Sequence, residues 1–227
     1  MTVITIDIET VPAQREDLRQ LAAEGVRPPG TLKKAESIAE WEATQRAAAV
    51  EQAVESTSFD GGLGQIVAIG WAVDDQAAQS VQVRDLTLQA EADMLAGFFV
   101  HMKRVTAGTS GQRPVIVGHN VTGFDLPFLW KRAIVHGIRP PLWIPRDPKP
   151  WSDSVVDTMT AWAGTKDRIS MDRLCRILGI DGKGDGPTGA DVWPMVKAGK
   201  LDEVASYCRA DVERTRAIYK RLMFEAA

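Results

Sequence analysis

Asp7 and Glu9 stand two residues apart in the stretch ITIDIETVP, opposite the alternating Ile4, Ile6 and Ile8. Such a pair by itself commonly belongs to a solvated strand face. Asp125 closes GHNVTGFD, where an apolar strand turns into a helix, and alone it reads as a helix-capping or first-turn acid. Tyr207 and Asp211 in YCRADVERTRAIY are four residues apart, one above the other on a helical face. Alone they read as an ordinary boundary pair. Jointly these readings weaken, because acids recur at the ends of elements, where α/β sheets gather their functional groups. Four carboxylates meeting there would repel one another unless cations intervened. Oxygen-only donors without a His or Cys cluster suit Mg²⁺ or Mn²⁺ and not zinc. Two such ions about 3.5–4 Å apart form a clamp for in-line displacement at phosphorus. Spacing and order alone therefore raise the expectation that the acids converge.

The elements that must position them follow from pattern. After the first strand, which ends at Pro12, a polar stretch runs from Ala13 to Asp60. It holds an Ala/Glu/Gln-rich run, about Ala35 to Glu55, whose composition predicts a helix with a thin apolar stripe. GGLG (Gly61 to Gly64) breaks the chain. Gln65 to Asp75 and Ser80 to Leu86 read as a hairpin. Glu91 to Met102 reads as a helix, Pro114 to Asn120 as a buried strand entering a turn, and Asp125 to His136 as a helix. Ser154 to Met159 is a second short strand, and helices are expected near Ser170–Leu178 and Leu201–Phe224. This order predicts a mixed α/β sheet with helices packed on it. The Pro-rich loop Arg139 to Trp151 has a length that is often functional. With no repeat and no clear linker, one domain spanning 1–227 is expected.

A chain of 227 residues with 44% hydrophobic and 25% charged residues has ordinary globular composition and enough apolar material for a sizeable core. The net charge of −3 gives no global attraction for nucleic acid, although a local basic groove or bound cations can reverse the field. Cys175 and Cys208 have no metal-ligand spacing and read as reduced packing residues. No apolar run reaches the length of a membrane span, and the chain begins directly in a strand without a signal peptide. A cytoplasmic protein with no membrane partner is the expectation.

DIET, NVTGFD and YCRAD resemble, in order, the three motifs of the DEDD (DnaQ-like) 3′–5′ exonuclease superfamily. The resemblance implies a ribonuclease H-like α/β fold, a central mixed five-stranded sheet flanked by helices, with a helical insertion at about 13–60. Tyr207 resembles the tyrosine branch, including proofreading domains of family B polymerases and stand-alone relatives. The histidine branch carries His five residues before the last acid, where this chain has Ser206. By this resemblance Asp7, Glu9, Asp125 and Asp211 hold two Mg²⁺ or Mn²⁺ ions and Tyr207 orients the attacking water. The substrate implied is single-stranded DNA or an unpaired 3′ end, cleaved to nucleoside 5′-monophosphates. An exoribonuclease and an inactive nucleic-acid-binding module are the alternatives, the second disfavoured because all five residues are present. A polymerase or repair partner would act in trans. Thr10, Asn120 and Phe124 are weaker substrate-binding candidates, with turn formation for Asn120 and core packing for Phe124 as competing readings. His119 is read as structural and Asp157 as a cap or an outer support of the site. Lys131, Arg132, Arg139, Arg146 and Lys149 form a basic stretch that either guides a phosphate backbone or is merely solvated. Trp143 and Trp151 are read as buried, with base stacking as the alternative. The insertion is expected to form a lid or wall over a substrate channel.

Overall fold

A computed structural model describes residues 2–107, 113–149 and 152–225. The elements run β1 (Val3–Val11), α1 (Glu16–Glu24), α2 (Ala35–Thr44), α3 (Arg46–Ser56), a 3₁₀ turn (Thr57–Phe59), β2 (Gln65–Val73), β3 (Gln79–Gln82) and α4 (Leu88–Thr106). They continue with β4 (Val115–Gly118), α5 (Asp125–Val135), β5 (Val155–Asp157), α6 (Thr158–Ala163), α7 (Met171–Leu178), a second 3₁₀ turn (Gly189–Asp191), α8 (Val192–Lys197) and α9 (Leu201–Leu222). The sheet has five strands in the order β3-β2-β1-β4-β5. The β1–β2 and β2–β3 pairs are antiparallel, and β1–β4 and β4–β5 are parallel. The mixed α/β expectation is met.

β1 lies in the middle of this sheet and is covered on both faces. Ile4, Ile6 and Ile8 are buried on one face, in a core shared with Phe98 and Phe99 of α4 and Leu126, Phe128 and Leu129 of α5. On the other face Thr5 and Glu9 are also buried, because α9 crosses β1, β2, β3 and β4. Asp7 is paired across the ladder with Gly70 of β2. A Cβ at Gly70 would stand 3.0 Å from Cys208 Sγ and 3.0 Å from Val212 Cγ2. The missing side chain therefore lets α9 rest directly on the sheet beside Asp7.

Several boundaries differ from expectation for identifiable local reasons. The Ala35–Glu55 run is two helices broken at Gln45 (φ −117°, ψ −21°), and α1 precedes them in what reads as polar loop. α4 begins earlier than expected, because Thr87 accepts a hydrogen bond from Ala90 N and caps it. β5 stops at Asp157, whose carboxylate caps α6, so Thr158 and Met159 are helical and not strand. β3 ends at Gln82, and α8 was not anticipated from pattern.

Of the basic stretch beside α5, Arg132 departs from the solvated or phosphate-facing expectation. Arg132 is buried and donates to both oxygens of buried Glu91, at 2.8 Å from Nε and 2.6 Å from Nη2. Ile66 N and His136 Nε2 complete the shell around that carboxylate. Burial acts to raise the Glu91 carboxyl, but the bonds from His136 and Arg132 and the guanidinium charge outweigh it and hold the group below its ordinary value. Lys131 pairs with Asp60 and Lys149 with Asp147, while Arg139 and Arg146 are exposed.

Candidate active site

β4 pairs with β1 only over Val3–Thr5, so the outer half of β1 has a free backbone edge on that side. Asp125 fills it. The turn after β4 returns the chain at the start of α5, and Asp125 Oδ1 accepts the Ile8 N–H at 3.1 Å. This bond ties the second acidic stretch to the first, between Asp7 and Glu9. Asp125 is also the first-turn acid of α5 that its position predicts, one residue after the N-cap Phe124. The register shifts between Glu9 and Thr10, where Val67 of the partner strand β2 is the extra, unpaired residue.

α9 brings the third group. Cys208 Sγ sits 3.4 Å from both the backbone oxygen and Oδ2 of Asp7, and donates to them. One ligating atom each from Asp7, Glu9 and Cys208 lie within 4.8 Å of one another. Tyr207 and Asp211 flank Cys208 on the same helix and are buried. Lys183 reaches over both. Its Nζ is 2.7 Å from Asp211 Oδ2, donates to the Tyr207 hydroxyl and lies 4.4 Å from the centre of the Tyr207 ring. Arg214 holds the other Asp211 oxygen at 2.7 Å. A cavity of about 460 Å³ borders Lys183, Tyr207 and Arg214 without reaching Asp7, Glu9 or Asp125.

The electrostatics are those of anions short of countercharge. Loss of hydration, then the charges of Asp125 and Asp211, push the Asp7 carboxyl well above the usual carboxylate range. Glu9 is raised likewise, by burial first and then by Asp7 and Asp211. Asp125 is raised to about 7 by burial, with the Asp157 charge adding to it and the bonds from its own backbone and Ile8 opposing it. Burial and the nearby carboxylates also keep the Tyr207 phenol and the Cys208 thiol protonated. The carboxyls of Asp7, Glu9 and Asp125 offer hard oxygen donors beside the single soft thiol of Cys208. Three carboxyls raised by burial and by neighbouring acids, beside a fourth paired with two side-chain cations, fit the hard divalent ions Mg²⁺ and Mn²⁺.

The weaker candidates take varied places. Asn120 has φ +62° and forms the turn after β4, its backbone N–H held by Asp157 at 2.9 Å. Asp157 also accepts from Thr122, Met159 and Thr160, so it organises that turn and caps α6, with its charge felt at Asp125. His119 bridges Thr158 Oγ1 and Ile169 O, both at 2.9 Å, as a structural residue. Thr10 Oγ1 donates to Ser58 O at 2.7 Å. Phe124 is half-buried between Phe128 and Phe59. Trp143 packs on the core and donates to Thr106, while Trp151 lies outside the described residues. Lys183, Arg214 and Cys208 were missed as site residues. A lysine flanked by glycines in GIDGKGDGPTG was the one visible signal for Lys183.

A family model described as a predicted 3′–5′ exonuclease related to the exonuclease domain of PolB matches residues 59–227. The chain belongs to that family. The matched region carries Asp125, Tyr207 and Asp211, and geometry joins Asp7 and Glu9 to them. Among solved structures, this PolB-related exonuclease chain is similar to the family B DNA polymerase of the hyperthermophilic archaeon Pyrobaculum calidifontis. The TM-score is 0.61 at 17% identity, over 98% of this chain and 24% of that one. At that identity the likeness speaks for the fold, the ribonuclease H-like arrangement. A zinc-bound E. coli ExoI–ssDNA complex matches with TM-score 0.42 and 12% identity, over 89% of this chain and 40% of that one, and nothing rests on it here. The chain thus spans less than half the length of either. No curated protein matches it. Among the described residues, no helix is long and apolar enough to cross a membrane.

Proposed function

We propose that this chain is a divalent-metal-dependent 3′–5′ exonuclease of the tyrosine branch, acting on single-stranded DNA or unpaired 3′ ends. One observation carries the reading: acids from β1, the start of α5 and α9 meet beside Tyr207, with carboxyls raised by burial and mutual repulsion. Asp7, Glu9, Asp125 and Asp211 would hold two Mg²⁺ or Mn²⁺ ions. Bound there, such ions lower the pKa of water and neutralise charge at phosphorus. The chain's own groups do the rest. Tyr207 stays protonated, so it orients the attacking water as a hydrogen-bond partner and is no general base. Cys208 and the Ile8 N–H hold Asp7 and Asp125 in place. Lys183 and Arg214 each hold one oxygen of Asp211, and Lys183 must yield its oxygen to any ion that binds there. The terminal phosphodiester is hydrolysed, releasing a nucleoside 5′-monophosphate and a strand shorter by one.

The test uses 5′-labelled DNA and RNA oligonucleotides of one sequence with Mg²⁺ or Mn²⁺. A ladder that shortens from the 3′ end, faster on DNA, is expected, and Asp125→Ala should abolish it. Activity that survives Asp125→Ala, or a preference for RNA, would overturn the assigned site or the assigned substrate respectively.

A further inference from the structure

The 3₁₀ turn that ends the helical insertion presents Phe59 with 76% of its surface exposed. A single exposed aromatic is unremarkable by itself. What sets Phe59 apart is how it is mounted. Its ring is 6.4 Å from that of Phe124, which is in turn 5.5 Å from Phe128. The three rings pass from core to solvent as one stack of tilted contacts, and Phe124 immediately precedes Asp125. The turn is pinned from both sides. Thr10 Oγ1 donates to Ser58 O at 2.7 Å, and Ala13 N donates to Thr57 Oγ1 at 2.8 Å, tying it to the end of β1. Behind it Gly64 lies so close to the chain that a Cβ would stand 2.5 Å from Thr57 O and 2.8 Å from Val11 O. Gly61 is flush against α5, where a Cβ would come within 3.0 Å of Phe128 Cα. The turn that carries the exposed ring is thus tied to Thr10, one residue beyond Glu9, and the ring contacts Phe124, one residue before Asp125.

Beside this ring a cleft of about 350 Å³ is lined by Phe59, Trp193 of α8 and Thr10, and the Lys197 ammonium lies 5.3 Å from the Trp193 ring centre. Glu55 also lines the cleft, which disfavours a phosphate there, while two aromatic side chains in one lining favour a flat apolar group. We propose that this cleft is a nucleobase subsite, in which an unpaired base near the 3′ end of a single strand stacks on Phe59, with Trp193 in the same lining. The inference rests on the exonuclease reading of the adjoining carboxylates for the identity of the strand. It gives the insertion a function: the chain inserted after β1 returns to supply one side of the substrate channel.

The test is equilibrium binding, which does not depend on turnover. Fluorescence anisotropy of a 5′-labelled oligodeoxynucleotide, with Ca²⁺ in place of Mg²⁺, would compare wild type, Phe59→Ala, Phe59→Trp and Phe224→Ala. Loss of one base–aromatic stack should weaken binding by about 5- to 100-fold in Phe59→Ala. Phe59→Trp should restore it. Phe224→Ala removes an even more exposed ring that does not line the cleft and should change nothing. The penalty of Phe59→Ala should disappear on a strand whose three 3′-terminal nucleotides are abasic. Unchanged binding in Phe59→Ala, an equal loss in Phe224→Ala, or a penalty that persists on the abasic strand would each overturn the subsite. If wild type fails to shorten DNA but its binding remains sensitive to Phe59 and to the abasic ends, the exonuclease reading fails and the subsite stands.

Discussion

Lys183 is the residue whose place says most about how the site is kept when no metal is bound. Its ammonium sits against Asp211 and the Tyr207 hydroxyl, giving one acid of the cluster a cation while Asp7, Glu9 and Asp125 are left raised. On the proposed reading, a divalent ion would compete with that ammonium for an Asp211 oxygen. Lys183→Met keeps the stem and removes the charge, so Mn²⁺ affinity measured by calorimetry should rise several-fold, whereas weaker binding would mean that Lys183 assists the ion. Tyr207→Phe should behave differently. It removes a hydroxyl that donates and accepts but contributes no carboxylate, so Mn²⁺ affinity should change little. Turnover on a DNA strand should fall on the order of 10²- to 10⁴-fold, the range of one positioned proton-handling group. Equal losses in both measurements would reassign Tyr207 to structure.

At the level of elements, the contact between α9 and β2 decides whether the third acid reaches the first two. Gly70→Ala would put a methyl 3.0–3.1 Å from Cys208 Sγ, Val212 Cγ2 and the Cys208 backbone oxygen, so α9 must lift. Overpacking of this kind costs about 1–3 kcal/mol. Urea unfolding should report that loss, and calorimetry should report weakened Mn²⁺ binding, because Asp211 withdraws with the helix. The Glu91–Arg132 pair does analogous work between α4 and α5, far from any chemistry. Arg132→Met would leave a buried carboxylate without its guanidinium and should destabilise the fold by about 3–5 kcal/mol. Because Glu91 is depressed in the folded state, its contribution is present above its unfolded value, about 4.3, and fades as pH falls below it.

Over the whole molecule, the raised carboxyls tie stability to pH and metal together. A carboxyl raised on folding binds its proton more tightly in the folded chain than in the unfolded one. Its destabilising effect is therefore absent below the unfolded value, about 3.9 for Asp, and grows as pH rises toward the folded value, about 7 for Asp125. Metal-free protein should accordingly lose thermal stability from this cluster as pH climbs from about 4 to about 7. Mg²⁺ requires the ionised acids, so the stabilisation it gives should grow over the same interval, reaching about 2.7 kcal/mol at a hundredfold excess over Kd. Tm measured with Mg²⁺ and with chelator across this range checks both signs. A metal-induced shift that shrinks with rising pH would place the cation somewhere other than these acids.

The chain's order of types and spacings was enough to determine the three acidic stretches, the strand and helix carrying each, and the mixed sheet itself. Ile4, Ile6 and Ile8 declare a strand, and Tyr207 and Asp211 declare one helical face, because period and spacing are local properties. Local pattern misjudged the surroundings of those elements. Glu9 lies on the polar face of an alternating strand and is nevertheless buried, because a helix about two hundred residues onward closes over it. Asp125 has the spacing of a first-turn helix acid, and it also binds a backbone N–H of β1 left free where β4 stops pairing. Arg132 reads as part of a basic surface and is a core residue, because Glu91 waits for it from another helix. Lys183 gives almost no local signal, since its position depends on a turn tied to α7 through Asp172. Side-chain type and period are written along the chain, but burial, countercharge and the company each carboxylate keeps arise between elements distant in sequence, and only the tertiary structure decides them.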